Sequence, residues 1–425
     1  MKNFAVIGNP VAHSKSPEIF RNLFKHFSMD CHYTAVSMDR GINIPGMMIK
    51  YDLSGINITS PFKEEAFRSI KNTDPVSKKI GAVNVIIRRN DSFYGFNTDT
   101  YGVTHSIINN GIDIKNKKCI VLGAGGAAKS AIYSVYDLQG IPFVCNRTDS
   151  KAEKISGDFD CGFIRYDDLK EQLKDTYLFI STVPETDPDL GNYLKNVILL
   201  NANYRDDSLK DNCRRYIDGY EWLIYQAVKT FENFFDIKAD ISEIRKDLFK
   251  SVIKKNIALI GPTGSGKSTY GKIIAECCGM EFIDTDDEIE SITGMKIFEI
   301  FQTQGEDYFR HLEENIIAEA VRKNGSVISA GAGAFVSAVN REKLKENSYV
   351  ILLDAGTDLI ISRLNKEEVS KRPKLKVYDV KEELDKMFAN RKDGYISSAD
   401  LMISVTTNDA VRESEKIIRE LDARQ

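Results

Sequence analysis

Eight consecutive residues carry the plainest chemistry in this sequence, Gly261-Pro-Thr-Gly264-Ser265-Gly266-Lys267-Ser268. They satisfy GxxxxGK[ST] after the apolar run Ile257–Ile260 and before a helical pattern, the setting in which this motif cradles phosphate. Backbone N–H groups and the helix N-terminus supply positive potential. Lys267 is placed to reach the β and γ phosphates, and Ser268 to ligate Mg²⁺. Gly264, Ser265, Gly266, Lys267, Ser268 and Thr269 are therefore the expected nucleotide contacts. A second glycine pattern, Gly123-Ala-Gly125-Gly126-Ala127-Ala128, follows the run Cys119–Leu122 and fits GxGxxA of a dinucleotide site. By itself it describes a tight strand–helix packing turn equally well. The next strand adds information, because an NAD site places Asp or Glu about twenty residues on, against the ribose 2′-hydroxyl. Here that strand ends in Asn146-Arg147-Thr148, with Lys151 soon after. Cationic and hydroxyl groups suit a 2′-phosphate, whereas an acid repels one, so NADP(H) is expected.

The elements that position these motifs read as α/β. Phe4–Ile7 is a short apolar strand ending in Gly8-Asn9-Pro10, a turn signal. Ser16-Pro17-Glu18 has the form of an N-cap followed by Pro, and Phe20, Leu23, Phe24 and Phe27 follow at helical spacing. Strand-like runs recur at Pro142–Cys145, Leu178–Ile180, Val197–Leu200, Val327–Ser329 and Tyr349–Leu353, alternating with helices as in a parallel sheet. Asp240-Ile241-Ser242-Glu243 is a capping-box pattern, which predicts a helical connection and not a flexible linker.

Composition bounds the rest. At 425 residues the chain is too long for one ordinary domain. Its 58 Lys+Arg against 62 Asp+Glu leave a net charge of −4, so no basic excess argues for a nucleic-acid partner. No long uncharged apolar run suggests a membrane span. The seven scattered cysteines form no CxxC or Cys/His cluster and read as reduced, mostly buried thiols of a cytoplasmic protein.

Beyond the phosphate loop come Phe282-Ile-Asp284-Thr-Asp286, Gly305-Glu306-Asp-Tyr-Phe309-Arg310-His-Leu-Glu313, Gly331-Ala332-Gly333-Ala334, Lys371-Arg372-Pro373, and Arg391 four residues before Tyr395. In this order they resemble shikimate kinase over residues 256–425. The resemblance implies that Asp284 helps hold Mg²⁺ and that Asp286 orients or deprotonates the substrate hydroxyl. It gives Arg310 and Arg391 the shikimate carboxylate, the loop Gly331, Ala332, Gly333 a place against the substrate, and Arg372 a place on a lid over the phosphates. Ala332 departs from the family's triple glycine.

Residues 1–240 resemble shikimate dehydrogenase. The resemblance rests on Gly8-Asn9-Pro10-Val-Ala-His13-Ser14-Lys-Ser16-Pro17, Asn57-Ile-Thr59-Ser-Pro61-Phe-Lys63, Gly81-Ala-Val-Asn84, Gly95-Phe-Asn97-Thr98-Asp99 and Tyr225-Gln226-Ala227. It implies that Lys63 and Asp99 form the catalytic pair, and that Ser14, Ser16, Thr59, Asn84 and Gln226 bind the substrate. Gly123, Gly125, Gly126, Ala127, Asn146, Arg147, Thr148 and Lys151 are then the NADP(H) contacts. Asn84 and Asn97 read alternatively as turn residues with left-handed backbone. Two departures stand out: Ser181–Asp187 lacks the family's Gly-Met, and Trp222 occupies the methionine position beside the nicotinamide.

The expected architecture is a two-domain dehydrogenase followed by a phosphate-loop α/β kinase. Residues 1–100, completed by a helix at 219–238, form the shikimate-binding domain. Residues 101–218 form the NADP-binding Rossmann domain, 239–255 a helical linker, and 256–425 the kinase. The expected ligands are 3-dehydroshikimate, shikimate, NADP(H), ATP and Mg²⁺. The competing reading is a shikimate- or quinate-sensing regulator that keeps the fold, or a fusion with one silenced site.

Overall fold

A computed structural model describes residues 1–240, 254–363 and 380–424. Residues 241–243 of the capping box, most of the expected linker and Arg372 lie outside the described residues. Two compact units form: residues 55–240 are one, and residues 1–54 together with those from 254 onward are the other. Packing thus follows different lines from the motifs, for reasons that lie in the strand pairings below.

In the unit of residues 55–240, six parallel strands run Arg215–Ile217, Ile198–Asn201, Leu178–Ser181, Lys118–Leu122, Ile141–Cys145, Gly162–Ile164. The first of them in sequence, Lys118–Leu122, lies centrally, and strand order reverses beside it. At such a switch point an open α/β sheet leaves a crevice beyond the carboxyl ends of its strands. Covered on both faces, these strands are buried apolar runs, which is why they lack the alternation of a half-exposed sheet. The strands Leu53–Ile58, Val85–Arg89, Ser92–Phe96 and Asn72–Thr73 pair in that order. The helix Gly219–Phe235 starts where the Asp218 carboxylate accepts from Tyr220 N–H, and stops at left-handed Asp236. It packs on the helix Asp99–Ile108 at Gly102. A Cβ there would stand 2.7 Å from the Trp222 carbonyl, so only glycine permits this approach.

The other unit is built on seven parallel strands in the order Glu281–Asp284, Ser326–Ser329, Asn256–Ile260, Ser348–Ala355, Leu401–Val405, Cys31–Ser37, Lys2–Gly8. The strand Leu401–Val405 pairs with Cys31–Ser37, Leu401 opposite Ala35. One sheet therefore contains both the first strand in sequence and the last strand among the described residues. Asp400 fastens the joint, with Lys254 Nζ 2.7 Å from Oδ2 and Arg21 Nη1 3.2 Å from Oδ1. Burial pushes its carboxyl up, but Lys254 and Arg21 outweigh burial and hold it below the usual value. Across the same joint the His32 ring meets the Ala399 carbonyl, and burial lowers its pKa to about 4.

Two local expectations fail. Lys15, not Ser16, is the N-cap of the helix Ser16–His26, and no side chain caps it. The Ser16 hydroxyl instead meets the buried Tyr33 phenol. Of the seven cysteines only Cys119 and Cys145 are buried, while Cys277 and Cys278 are exposed at a helix end.

Candidate active sites

The phosphate loop turns between the strand Asn256–Ile260 and the helix Lys267–Cys278. Gly261, Gly264 and Gly266 have φ of +142°, +81° and +98°, conformations that side-chain-bearing residues rarely adopt. Lys267 Nζ donates to the carbonyls of Gly261 and Pro262, 3.1 Å each, and so lies along the loop. Ser268 Oγ donates to Asp284 Oδ2 at 2.6 Å, which brings together the two expected metal ligands. The other Asp284 oxygen caps the helix Thr285–Thr293 by accepting from Asp286 N–H.

Asp286 starts that helix next to Asp284. Burial first, and then the Asp284 charge, raise its carboxyl to about 6. Arg310, on the helix Glu306–Ala320, pairs with Glu313 at 2.6 Å and with Glu306 at 3.1 Å. Glu313 is 1% exposed, and burial raises it to about 7 although Arg310 opposes the shift. The segment Gly331–Gly333 gathers these groups. A Cβ on Gly331 would come within 2.8 Å of both Asp286 Oδ1 and Glu313 Oε1, and one on Gly333 within 2.7 Å of both Arg310 terminal nitrogens. Ala332 has no positive φ, and its carbonyl accepts from Tyr395 Oη at 2.6 Å and Arg391 Nη1 at 3.3 Å. The structure thus brings Asp286, Arg310 and Arg391 to one short loop. Glu313 and Tyr395 appeared in the sequence motifs without a role. Glu313 was legible as the residue three positions beyond Arg310, on the same helical face.

The second site lies in the unit of residues 55–240. Lys63 begins the helix Lys63–Ser69, and Asp99 begins the helix Asp99–Ile108. Lys63 Nζ stands 2.6 Å from Asp99 Oδ2, with side chains 15% and 8% exposed. The other carboxylate oxygen accepts from the Trp222 indole N–H at 3.3 Å. The glycine loop presses on this pair: a Cβ on Gly126 would lie 3.2 Å from Lys63 Cβ and Cδ. Asn84 is 2% exposed, gives its amide to Thr98 Oγ1 and Gln226 Oε1, and accepts from Thr98 N–H at 2.7 Å. Thr98 and Thr230 hydroxyls are 3.0 Å apart. Neither Asn84 nor Asn97 has left-handed backbone, so the turn reading of both fails. Thr59 follows the strand Leu53–Ile58 and accepts from Phe62 N–H through its carbonyl.

Arg147, Thr148 and Lys151 are exposed beyond the carboxyl end of the strand Ile141–Cys145, and Asn146 donates to the Thr148 carbonyl. The loop that lacks Gly-Met is closed by its own hydroxyls. Ser181 and Thr186 meet at 2.6 Å, and Thr182 donates to the Leu122 carbonyl. Ser14 and Ser16 lie in the other unit, Ser14 on the turn that precedes the helix Ser16–His26 and Ser16 at its first position.

Residues 263–422 match the model of the shikimate kinase family, and residues 6–86 match that of the shikimate dehydrogenase substrate binding domain. A shikimate dehydrogenase (NADP(+)) from Hyphomonas neptunium is 30% identical over 252 residues, 56% of this chain and 93% of that protein. A shikimate kinase from Histophilus somni is 40% identical over 170 residues, 40% of this chain and 96% of that protein. The crystal structure of shikimate dehydrogenase from Aquifex aeolicus superposes with a TM-score of 0.54 at 26% identity, covering 59% of this chain and 98% of that one. The chain belongs to both families. It is a bifunctional shikimate-pathway enzyme, a shikimate dehydrogenase joined to a shikimate kinase, with NADP serving the first activity and ATP the second. Among the described residues no helix is long and apolar enough to cross a membrane.

Proposed function

We propose that the dehydrogenase reduces 3-dehydroshikimate to shikimate and that the kinase phosphorylates the hydroxyl so formed, giving shikimate 3-phosphate. The observation that carries the first step is the Lys63–Asp99 pair lying against the loop at Gly126. Bound NADPH supplies hydride, and bound ATP supplies the phosphoryl group. The Lys63 ammonium donates its proton to the alkoxide oxygen that develops at C3, and Asp99 orients it. Trp222 holds the far oxygen of Asp99, so the near one stays directed at Lys63. Asn84 and Gln226, held to each other and to Thr98, bind substrate hydroxyls together with Thr59. For Ser14 and Ser16 the assignment to substrate rests on the resemblance alone. Gly123, Gly125, Gly126 and Ala127 admit the pyrophosphate to the helix N-terminus, and Arg147, Thr148 and Lys151 take the 2′-phosphate.

In the kinase, Arg310 and Arg391 hold the shikimate carboxylate and Asp286 accepts the proton of the attacking hydroxyl. Lys267 neutralises phosphate charge. Ser268 and Asp284 are an all-oxygen donor pair suited to Mg²⁺, which takes one or two carboxylates and completes its shell with phosphate and water. Arg372, outside the described residues, is assigned to the phosphates by the resemblance alone. The sensing reading loses ground because each site keeps its proton-transfer group beside a nucleotide loop.

Two variants separate the activities. Lys63→Ala lowers dehydrogenase kcat by roughly 10²–10⁴-fold, the range for a general acid–base group, with kinase rates unchanged. Asp286→Asn does the converse. Near-normal reduction by the first, or near-normal phosphorylation by the second, would remove that residue from the mechanism.

A further inference from the structure

Lys50 and Tyr51 stand at the end of the helix Ile44–Lys50, in the stretch that matches the dehydrogenase family. Packing puts them in the unit that holds the kinase site. The Tyr51 ring, 1% exposed, meets the Phe388 ring edge-on, with centroids 6.2 Å apart and planes at 76°. That arrangement sets the positive edge of one ring against the negative face of the other. Lys50 Nζ lies 2.7 Å from Asp354 Oδ1 and 5.4 Å from the centroid of the same Phe388 ring. It thus ties the end of the strand Ser348–Ala355 and the aromatic ring at once. The Tyr51 hydroxyl, buried near Asp354, forms no hydrogen bond of good geometry, so the ring is what Tyr51 contributes.

Phe388 belongs to the helix Val380–Ile396, and Arg391 and Tyr395 follow it at intervals of three and four, on one face. The far end of that face is built into the kinase site. Tyr395 Oη donates to the Ala332 carbonyl at 2.6 Å and lies 3.3 Å from that of Gly261, so it spans the substrate loop and the phosphate loop. Arg391 donates to the same Ala332 carbonyl. Gly394 lets the helix come this close, since a Cβ there would stand 3.0 Å from the Phe335 carbonyl. The Phe388 and Tyr395 rings are 6.5 Å apart. Contact is therefore continuous from Tyr51 through Phe388 to Tyr395, inside one compact unit.

We propose that Lys50 and Tyr51, from the dehydrogenase part of the sequence, are positioning residues of the kinase: by holding Phe388 they set the helix face that offers Arg391 to shikimate. The proposal rests on the assignment of Arg391 to the shikimate carboxylate made above. Lys267 is held by carbonyls of its own loop, so nucleotide binding does not depend on this contact.

The test uses the full chain and steady-state constants of the kinase. Tyr51→Leu raises KM for shikimate roughly 3- to 10-fold, the range an aromatic pair supplies, while kcat and the KM for MgATP stay within about twofold. Tyr51→Phe keeps the ring and holds KM within about twofold of the parent. Phe388→Leu raises the same KM, and the double variant is no worse than the poorer single by more than about twofold, because both lose one shared contact. Single effects that multiply in the double variant overturn the proposal. So does an unmoved KM in Tyr51→Leu, or a Phe variant as impaired as Leu. Both KM values rising together with a falling kcat would mark general packing and overturn it too. Should Tyr51→Leu fail to fold, Lys50→Ala decides at an exposed position: KM for shikimate rises about two- to fivefold, and an unmoved value overturns the proposal. Arg391→Ala is measured alongside. A raised KM there beside an unmoved one in Tyr51→Leu sinks the proposal alone, whereas an unmoved KM in Arg391→Ala removes the arginine assignment and the proposal with it.

Discussion

Asp286 is where residue-level physics speaks most directly to rate. Burial and the neighbouring Asp284 raise its carboxyl to about 6, within reach of physiological pH. A raised carboxyl pKa means the folded chain holds that proton more tightly than the unfolded chain does. Stability is therefore lost as pH rises from the ordinary carboxylate value of 3.8 to about 6, and in the mechanism proposed above the ionised form is the one that accepts the substrate proton. Kinase kcat/KM is accordingly expected to climb as pH rises through about 6 and to lose this limb in Asp286→Asn, read from rate profiles between pH 5 and 8. A profile already flat at pH 5 in the parent would assign the proton elsewhere. Lys63 and Asp99 were equally legible as residue types in their motifs. Trp222 was legible only as a departure from the dehydrogenase pattern; its hydrogen bond to Asp99 needed the close packing of two helices at Gly102.

At the scale of elements, the segment Gly331–Gly333 shows how a departure is absorbed. Gly331 and Gly333 face side chains at distances no Cβ could share, whereas Ala332 sits between them without a positive φ. Its methyl carries no backbone strain, and its carbonyl keeps Tyr395 and Arg391. Ala332→Gly should therefore change kcat/KM for shikimate by less than about tenfold, or about 1.4 kcal/mol. A larger gain would mean that the methyl intrudes on the substrate. Most strands were readable because buried parallel strands are short, continuous apolar runs between turn signals, as at Cys119–Leu122 and Ile257–Ile260. The helix start at Ser16 was misread because an N-cap signature and a side chain engaged elsewhere look identical in sequence. Ser16 reaches Tyr33, on a strand fifteen residues away.

For the whole molecule, motifs and packing divide the chain differently. Each motif set occupies one half, and this suggests two separable enzymes. Yet Leu401–Val405 pairs with Cys31–Ser37, Asp400 binds both Arg21 and Lys254, and Glu420 holds Val11 and Ala12. Such pairings join residues hundreds of positions apart, and no local pattern announces them. Cutting the chain just before Lys254 should leave a first fragment with the strand Cys31–Ser37 as an open edge, prone to aggregate. Its soluble yield and dehydrogenase activity are expected to fall sharply when made alone and to recover on co-expression with the second fragment. A first fragment as soluble and active as the intact enzyme would show the joint to be dispensable.

If one chain performs two successive reactions, both can be followed in a single vessel. Purified protein receives 3-dehydroshikimate, NADPH and MgATP, and NADPH loss, ADP formation and the organic product are followed together. The expected result is shikimate 3-phosphate, with one ADP formed for each NADPH consumed and ADP lagging behind NADPH loss. NADPH oxidation that leaves shikimate unphosphorylated, or no oxidation while added shikimate is phosphorylated, would contradict it by leaving one of the two sites silent.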